Sequence, residues 1–175
     1  CTYLFLDVVG FTRLSEELGP SATVELLNAY FKPIVDVVFA NGGDIDKFVG
    51  DQLFCIFAEE EAAMKTAFRI QRMLNQLNSV RAAEAKRVLE VTMGLNTGHA
   101  IRANVGGDDR RDNTLIGNAV NVAARLQKAC RPGGILVSQA LFEKVKASVR
   151  SLQQVRLKLK NVTDSVLAHY VAEYG

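Results

Sequence analysis

Two aspartates and one polar helix face are the residues of this chain whose types and spacing can do chemistry. Asp7 ends an apolar run, and Asp51 lies in Val49-Gly50-Asp51-Gln52, between two further apolar runs. Brought to one spot, two hard oxygen donors suit Mg²⁺, which keeps waters and takes its other ligands from phosphates. Taken singly, Asp7 reads equally well as a helix cap and Asp51 as a turn residue. Behind Asp7, Val8-Val9-Gly10-Phe11-Thr12 runs a strand into a helix start, where backbone N–H groups are free to hold phosphate and Gly10 permits close approach. There is no GxxxxGK motif followed by serine or threonine, which excludes a P-loop NTPase. The third feature is the segment from Gly117 to Lys128. On a helix, Asn118, Asn121, Arg125 and Lys128 share one face and Ala119, Val122, Leu126 and Ala129 the opposite one. Arg125 can grip a phosphate bidentately and Asn121 can orient a ribose. The same face also reads as the solvated side of an amphipathic helix.

Periodicity sets the elements that must carry these residues. A buried strand is expected over 2–8. Gly19-Pro20 opens a helix with the stripe Val24, Leu27, Phe31, Ile34 and Val38, stopped by Asn41-Gly42-Gly43. Strands over 44–49 and 52–58 form a hairpin across Gly50-Asp51. A helix over 60–78 follows, with Ala63, Ala67, Ile70, Leu74 and Leu77 on one face. Alternation from Leu89 to Leu95 predicts a half-buried strand, and the turn Thr97-Gly98-His99 leads to a partner strand through Ile101, Ala103 and Val105. The stretch from Gly106 to Asp112 is expected to be a loop. The chain then continues through helix 118–129, strand 135–138, helix 139–147 and strands near 154–160 and 166–173. The order β-α-ββ-α-β favours an α+β sandwich of ferredoxin-like type with a C-terminal extension. In such a sheet the first strand lies beside the central hairpin, so Asp7 and Asp51 can point at one spot.

At 175 residues, the chain has the length of one domain, 1–175. With 49% hydrophobic and 23% charged residues it is an ordinary globule. The net charge, 21 − 19 = +2, argues against a strongly basic nucleic-acid binder. Cys1, Cys55 and Cys130 are an odd number at no metal-ligand spacing, which fits a cytosolic setting better than a disulfide scaffold. No apolar run approaches the ~20 residues of a membrane span. Because the chain opens inside a strand-like run, it is expected to be a domain of a longer parent, and that parent is free to be membrane-tethered. His99, in a turn, and His169, in a terminal strand, are expected to be structural or surface residues.

Three segments occur in one order: Phe5-Leu6-Asp7-Val8-Val9-Gly10-Phe11-Thr12, then Asp46-Lys47-Phe48-Val49-Gly50-Asp51, then the run from Asn113 to Leu126 with Thr114-Leu115-Ile116-Gly117-Asn118 and Asn121-Val122-Ala123-Ala124-Arg125. Together they resemble the class III adenylate/guanylate cyclase catalytic domain, over essentially the whole chain. The resemblance implies the class III nucleotidyl cyclase fold and a homodimer, or pseudo-symmetric heterodimer, with active sites at the subunit interface. It implies that Asp7 and Asp51 bind two Mg²⁺ ions, with Mn²⁺ able to substitute, and that Gly10, Phe11 and Thr12 hold phosphates through their backbone. From the other subunit, Lys47 and Thr114 would read the base, Asn121 would orient the ribose and Arg125 would stabilise the transition state. Lys160 stands closest to the family's polyphosphate-binding lysine, although Lys158 is nearby and the glycine that usually follows is here Asn161.

Lysine is only a donor and a threonine hydroxyl can accept. That suits adenine, with an acceptor at N1 and a donor at its amine, whereas guanine asks for an acceptor in place of Lys47. The expected activity is conversion of ATP to 3′,5′-cyclic AMP and pyrophosphate by two-metal catalysis. A lysine–threonine pair resembles the bacterial and soluble bicarbonate-responsive subgroup, which implies bicarbonate and regulatory domains of the parent as further partners. The alternatives are a weak or inactive nucleotide-sensing or dimerisation module, or a diguanylate cyclase-like enzyme. The latter would carry GGDEF at the hairpin, where this chain has Val49-Gly50-Asp51-Gln52-Leu53.

Overall fold

The computed structural model describes residues 1–161 and 163–174, and Arg111 by its backbone alone. The chain runs β1 (Thr2–Val8), α1 (Phe11–Leu18), α2 (Pro20–Ala40), β2 (Asp44–Val49), β3 (Gln52–Phe57), α3 (Glu60–Ala83), β4 (Val91–Thr97), β5 (Ile101–Gly107), β6 (Arg110–Ile116), α4 (Asn118–Ala129), β7 (Ile135–Ser138), α5 (Gln139–Val145), β8 (Val149–Leu157) and β9 (Val166–Glu173). Seven strands form one sheet in the order β2-β3-β1-β4-β7-β9-β8. Its first four are antiparallel, with β1 between β3 and β4. This is the ferredoxin-like βαββαβ core. β7 joins β4 in parallel, and β8 and β9 extend the sheet. Among the described residues, no helix is long and apolar enough to cross a membrane.

Both faces of the sheet are covered. Leu4, Leu6 and Val8 of β1 enter one core with Leu26, Tyr30 and Ile34 of α2 and Ala67 and Ile70 of α3. Tyr3 and Phe5 face the other way, into a cluster with Phe54 of β3 and Val120 and Ala123 of α4. The expected half-buried strand over 89–95 is therefore corrected: all of β4 is buried, because α4 covers the face on which Thr92, Gly94 and Asn96 stand. The approach there is close. A Cβ on Gly94 would lie 2.1 Å from the Gln127 amide nitrogen, so only glycine fits without moving α4.

Further expectations are corrected. β5 does not pair with β4, whose two edges are taken by β1 and β7; it pairs with β6 as a separate two-stranded sheet. The expected loop from 106 to 112 is the end of that hairpin. The expected α2 stripe holds at Phe31, Ile34 and Val38, with Leu27 partly buried, and departs at the start of the helix. Thr23, Leu26 and Tyr30 are buried while Val24 is 57% exposed, because the Tyr30 hydroxyl bonds Asn78 Oδ1 at 2.6 Å and accepts from the Leu89 amide at 2.9 Å. On α4, Val120, Val122, Ala123 and Leu126 are buried, whereas Ala129 is exposed. β8 begins at Val149 and ends at Leu157, so Lys160 lies in the turn that follows it rather than on the strand.

Candidate active site

Along β1 the side chains alternate, and Asp7 shares the face of Tyr3 and Phe5, the one covered by α4. Its Cα partner in β3 is Gln52, the residue after Asp51. Val49 pairs with Gln52 across the two-residue turn Gly50-Asp51. Gly50 takes φ 61, a left-handed conformation open to glycine at little cost. This turn brings the Asp51 carboxyl beside that of Asp7. The Val8 amide also donates to Asp7 Oδ1 at 2.9 Å. Partial burial, then the neighbouring carboxyl and charge of Asp51, push the Asp7 carboxyl up to about 7, against the Val8 N–H and the positive field of Lys128. Two neighbouring carboxyls ionise together only at a cost that a cation or a shared proton removes. Among the described residues no larger cluster of histidine, cysteine or acidic ligands surrounds them. A donor set of two aspartates fits Mg²⁺ with its remaining ligands from water and phosphate.

The floor under Asp7 is a hydrogen-bonded relay that sequence reasoning missed. Gln52 and Thr92 are the two cross-strand partners of Asp7. Gln52 Nε2 donates to Gln127 Oε1 at 3.3 Å, and Gln127 Nε2 donates to Thr92 Oγ1 at 2.7 Å. Gln127 is 4% exposed, so this buried amide ties the end of α4 to the strands beside Asp7. Lys128 follows it, close enough for its charge to act on Asp7. Lys128 had a sequence signal in its place on the polar face of α4, whereas Gln127 lies on the buried side and had none.

Two residues separate β1 from α1. Gly10 precedes α1 at φ 67, again left-handed, and no side chain caps the helix. The first amides of a helix lack intrahelical acceptors, so Phe11 and Thr12 present N–H groups directly after the Asp7 strand. The Phe11 ring packs partly against the core, while Thr12 is exposed.

Lys47 and Thr114 are brought together: Lys47 Nζ donates to Thr114 Oγ1 at 3.0 Å, joining β2 to β6. Asn121 is exposed and Arg125 partly exposed on the outer face of α4, and neither side chain has a hydrogen-bond partner among the described residues. Within one chain, then, the residues form separate groups: Asp7, Asp51 and the start of α1; Lys47 with Thr114; and Asn121 with Arg125. Lys160 is exposed and joins none of them. Asn161 beside it takes φ 61, a conformation asparagine tolerates better than most residues other than glycine.

The remaining reactive side chains are in other roles. His169 is buried, bonded at its ring nitrogens to Ser151 Oγ at 2.9 Å and Gln139 Oε1 at 2.5 Å, and stacked on Phe142; burial holds it below the usual histidine range. His99 is exposed. Cys55 and Cys130 are buried free thiols, pushed up to about 12 and about 11 by burial, and are unreactive in that state.

A family model described as the adenylate and guanylate cyclase catalytic domain matches residues 1–171. An adenylate cyclase of Anabaena cylindrica is 30% identical over 148 residues, covering 80% of this chain and 30% of that protein. The chain spans less than a third of the length of the curated relatives it matches. Among solved structures, the adenylyl cyclase CyaB from P. aeruginosa superposes with a TM-score of 0.91 at 32% identity, over 99% of this chain and 94% of that one. The guanylyl cyclase Cya2 superposes with a TM-score of 0.88 at 30% identity, over 99% and 92%.

Proposed function

The chain belongs to the adenylate and guanylate cyclase catalytic domain family, and from that premise we propose that it is an adenylate cyclase domain, converting ATP to 3′,5′-cyclic AMP and pyrophosphate at sites shared between two copies. Relatives of nearly equal similarity bear both adenylyl and guanylyl names, so overall identity does not choose the base. The observation that carries ATP is the Lys47–Thr114 contact at 3.0 Å. A lysine donor beside a threonine hydroxyl matches the acceptor at adenine N1 and the donor at its amine.

In this reading the base sits against Lys47 and Thr114 of one copy, and Asn121 of that copy orients the ribose. The amides of Gly10, Phe11 and Thr12 of the other copy hold the phosphates. When bound, two divalent cations held by Asp7 and Asp51 supply Lewis-acid activation of the 3′-hydroxyl and neutralise phosphate charge. The 3′-oxygen forms a bond to the α-phosphorus as the bond to pyrophosphate breaks, and the hydroxyl proton passes to water. Arg125 and Lys160 offset the charge that grows on the phosphates. Bicarbonate stimulation and control by further domains of a longer parent rest on the subgroup resemblance alone.

The test is product analysis of the purified domain given ATP or GTP with Mg²⁺ or Mn²⁺, with and without bicarbonate at constant pH. Cyclic AMP as the main product is expected. Cyclic GMP as the main product overturns the base assignment, a cyclic dinucleotide points to the diguanylate alternative, and no product from a dimeric sample points to an inactive sensing module.

A further inference from the structure

Strand β2 is irregular where it meets the β5–β6 hairpin. Ile45 pairs with Cys55 and Lys47 with Phe54, so Asp46 is an extra residue in a β-bulge. In a regular strand Asp46 and Lys47 would point to opposite faces. A bulge breaks that alternation and re-aims side chains, and here both reach the same hairpin. Lys47 Nζ donates to Thr114 Oγ1 on β6, and Arg102 Nη1 on β5 donates to Asp46 Oδ1 at 3.0 Å. Arg102 pairs with Leu115 and Ala103 with Thr114, so the two links meet the hairpin at adjacent rungs.

The hairpin has no backbone ladder to the seven-stranded sheet, so side chains must set its position. The Asp46 side chain is 3% exposed, and its Oδ2 is buried without a hydrogen-bond partner. Arg102 therefore supplies the carboxylate's one hydrogen bond among the described residues. A buried carboxylate that loses its counter-charge is strongly disfavoured, and this ties Arg102, and β5 with it, to β2.

We propose that Asp46 and Arg102 are a positioning pair for base selectivity: their ion pair, made possible by the bulge, fixes the hairpin so that Thr114 stays within reach of Lys47. The inference rests on reading Lys47 and Thr114 as the base-reading pair. Neither Asp46 nor Arg102 touches the nucleotide. Without the clamp, Thr114 moves off while Lys47 remains, and a lone ammonium meets adenine N1 or guanine O6 equally well. Selectivity then falls more than turnover does.

The experiment uses the dimeric domain and the variants Arg102→Ala, Asp46→Asn and Arg102→Lys. kcat and KM are measured for ATP and GTP with Mn²⁺, and backbone hydrogen exchange over residues 110–116 is followed without nucleotide. Arg102→Ala and Asp46→Asn should each raise the KM for ATP and lower the ATP-over-GTP ratio of kcat/KM by roughly tenfold, with kcat within about twofold and faster exchange in β6. Arg102→Lys should recover most of the ratio. Faster exchange with an unchanged ratio would mean a purely structural clamp and overturns the proposal; unchanged exchange overturns it as well. If the wild-type domain forms no cyclic nucleotide, the proposed function fails, and the exchange measurement still decides whether the clamp exists.

Discussion

The Asp7 carboxyl, next to last in β1, lies beside that of Asp51 in the turn of the β2–β3 hairpin, and partial burial and this neighbour hold it well above the usual carboxylate range. Held together without a cation, the pair favours a shared proton. In the proposed site, protonation and cation binding would be alternatives at one place.

The first prediction follows from that competition. Asp7 titrates near 7 in the fold, against an ordinary value of 3.8. The native state then binds more protons than the unfolded chain between those values, and stability falls as pH rises through that window. Without divalent cations, the melting temperature should drop between pH 5 and pH 8. Asp7→Asn should flatten the profile and raise stability at pH 8, while cyclase activity disappears. Melts of both proteins over this range, with and without Mn²⁺, provide the check. A wild-type profile that rises with pH would contradict the assignment.

Base choice gives the second. Lys47→Glu with Thr114→Cys replaces a donor by an acceptor at the proposed base edge. Hydrogen bonds lost to a buried polar partner cost ~1–3 kcal/mol each, so ATP turnover should collapse and GTP turnover rise slightly. Steady-state kinetics with both nucleotides measure this, and an unchanged preference for ATP would remove both residues from the base pocket.

Complementation gives the third. Asp51→Ala and Arg125→Ala chains should each be nearly inactive. In mixed dimers one site carries both defects and the other neither. Random mixing should restore about a quarter of wild-type activity, since half the dimers are mixed and each has one intact site of two. Cyclic AMP is measured after exchange, with mixed dimers verified by mass. No recovery would mean that all these residues serve one chain.

The fourth concerns the floor of the site. Gly94→Ala puts a methyl group against the Gln127 backbone, where a Cβ would lie 2.1 Å from nitrogen. Displacing α4 should cost about 1–3 kcal/mol or more and weaken the Gln127–Thr92 bond. Urea unfolding measures the loss, and a variant as stable as wild type would show that α4 is less tightly seated than the Gln127 bonds indicate.

What the sequence by itself determined was local in origin. An apolar run ending in Asp7, glycine and aspartate between two short runs, and the 3-4-3 spacing from Asn118 to Lys128 are each set within a few residues, because strand period, turn chemistry and helix period are short-range. The βαββαβ order then placed the hairpin beside β1. What tertiary structure alone decided was which neighbour occupied each edge and face. β4 looked half-buried because Thr92 and Asn96 are polar and Gly94 has no side chain, and nothing local announces that α4 returns to cover them. The same return puts Gln127 and Lys128 beside Asp7. β5 pairs with β6 because both edges of β4 are filled, a competition between distant strands. At the start of α2, burial of Leu26 and Tyr30 in place of Val24 goes with a long-range anchor, the Tyr30 hydroxyl, and the bulge at Asp46 depends on how β2 meets β3 and the hairpin. Burial and proximity to Asp51, not the identity of Asp7, raise its carboxyl toward neutrality, and both exist only once the sheet is assembled.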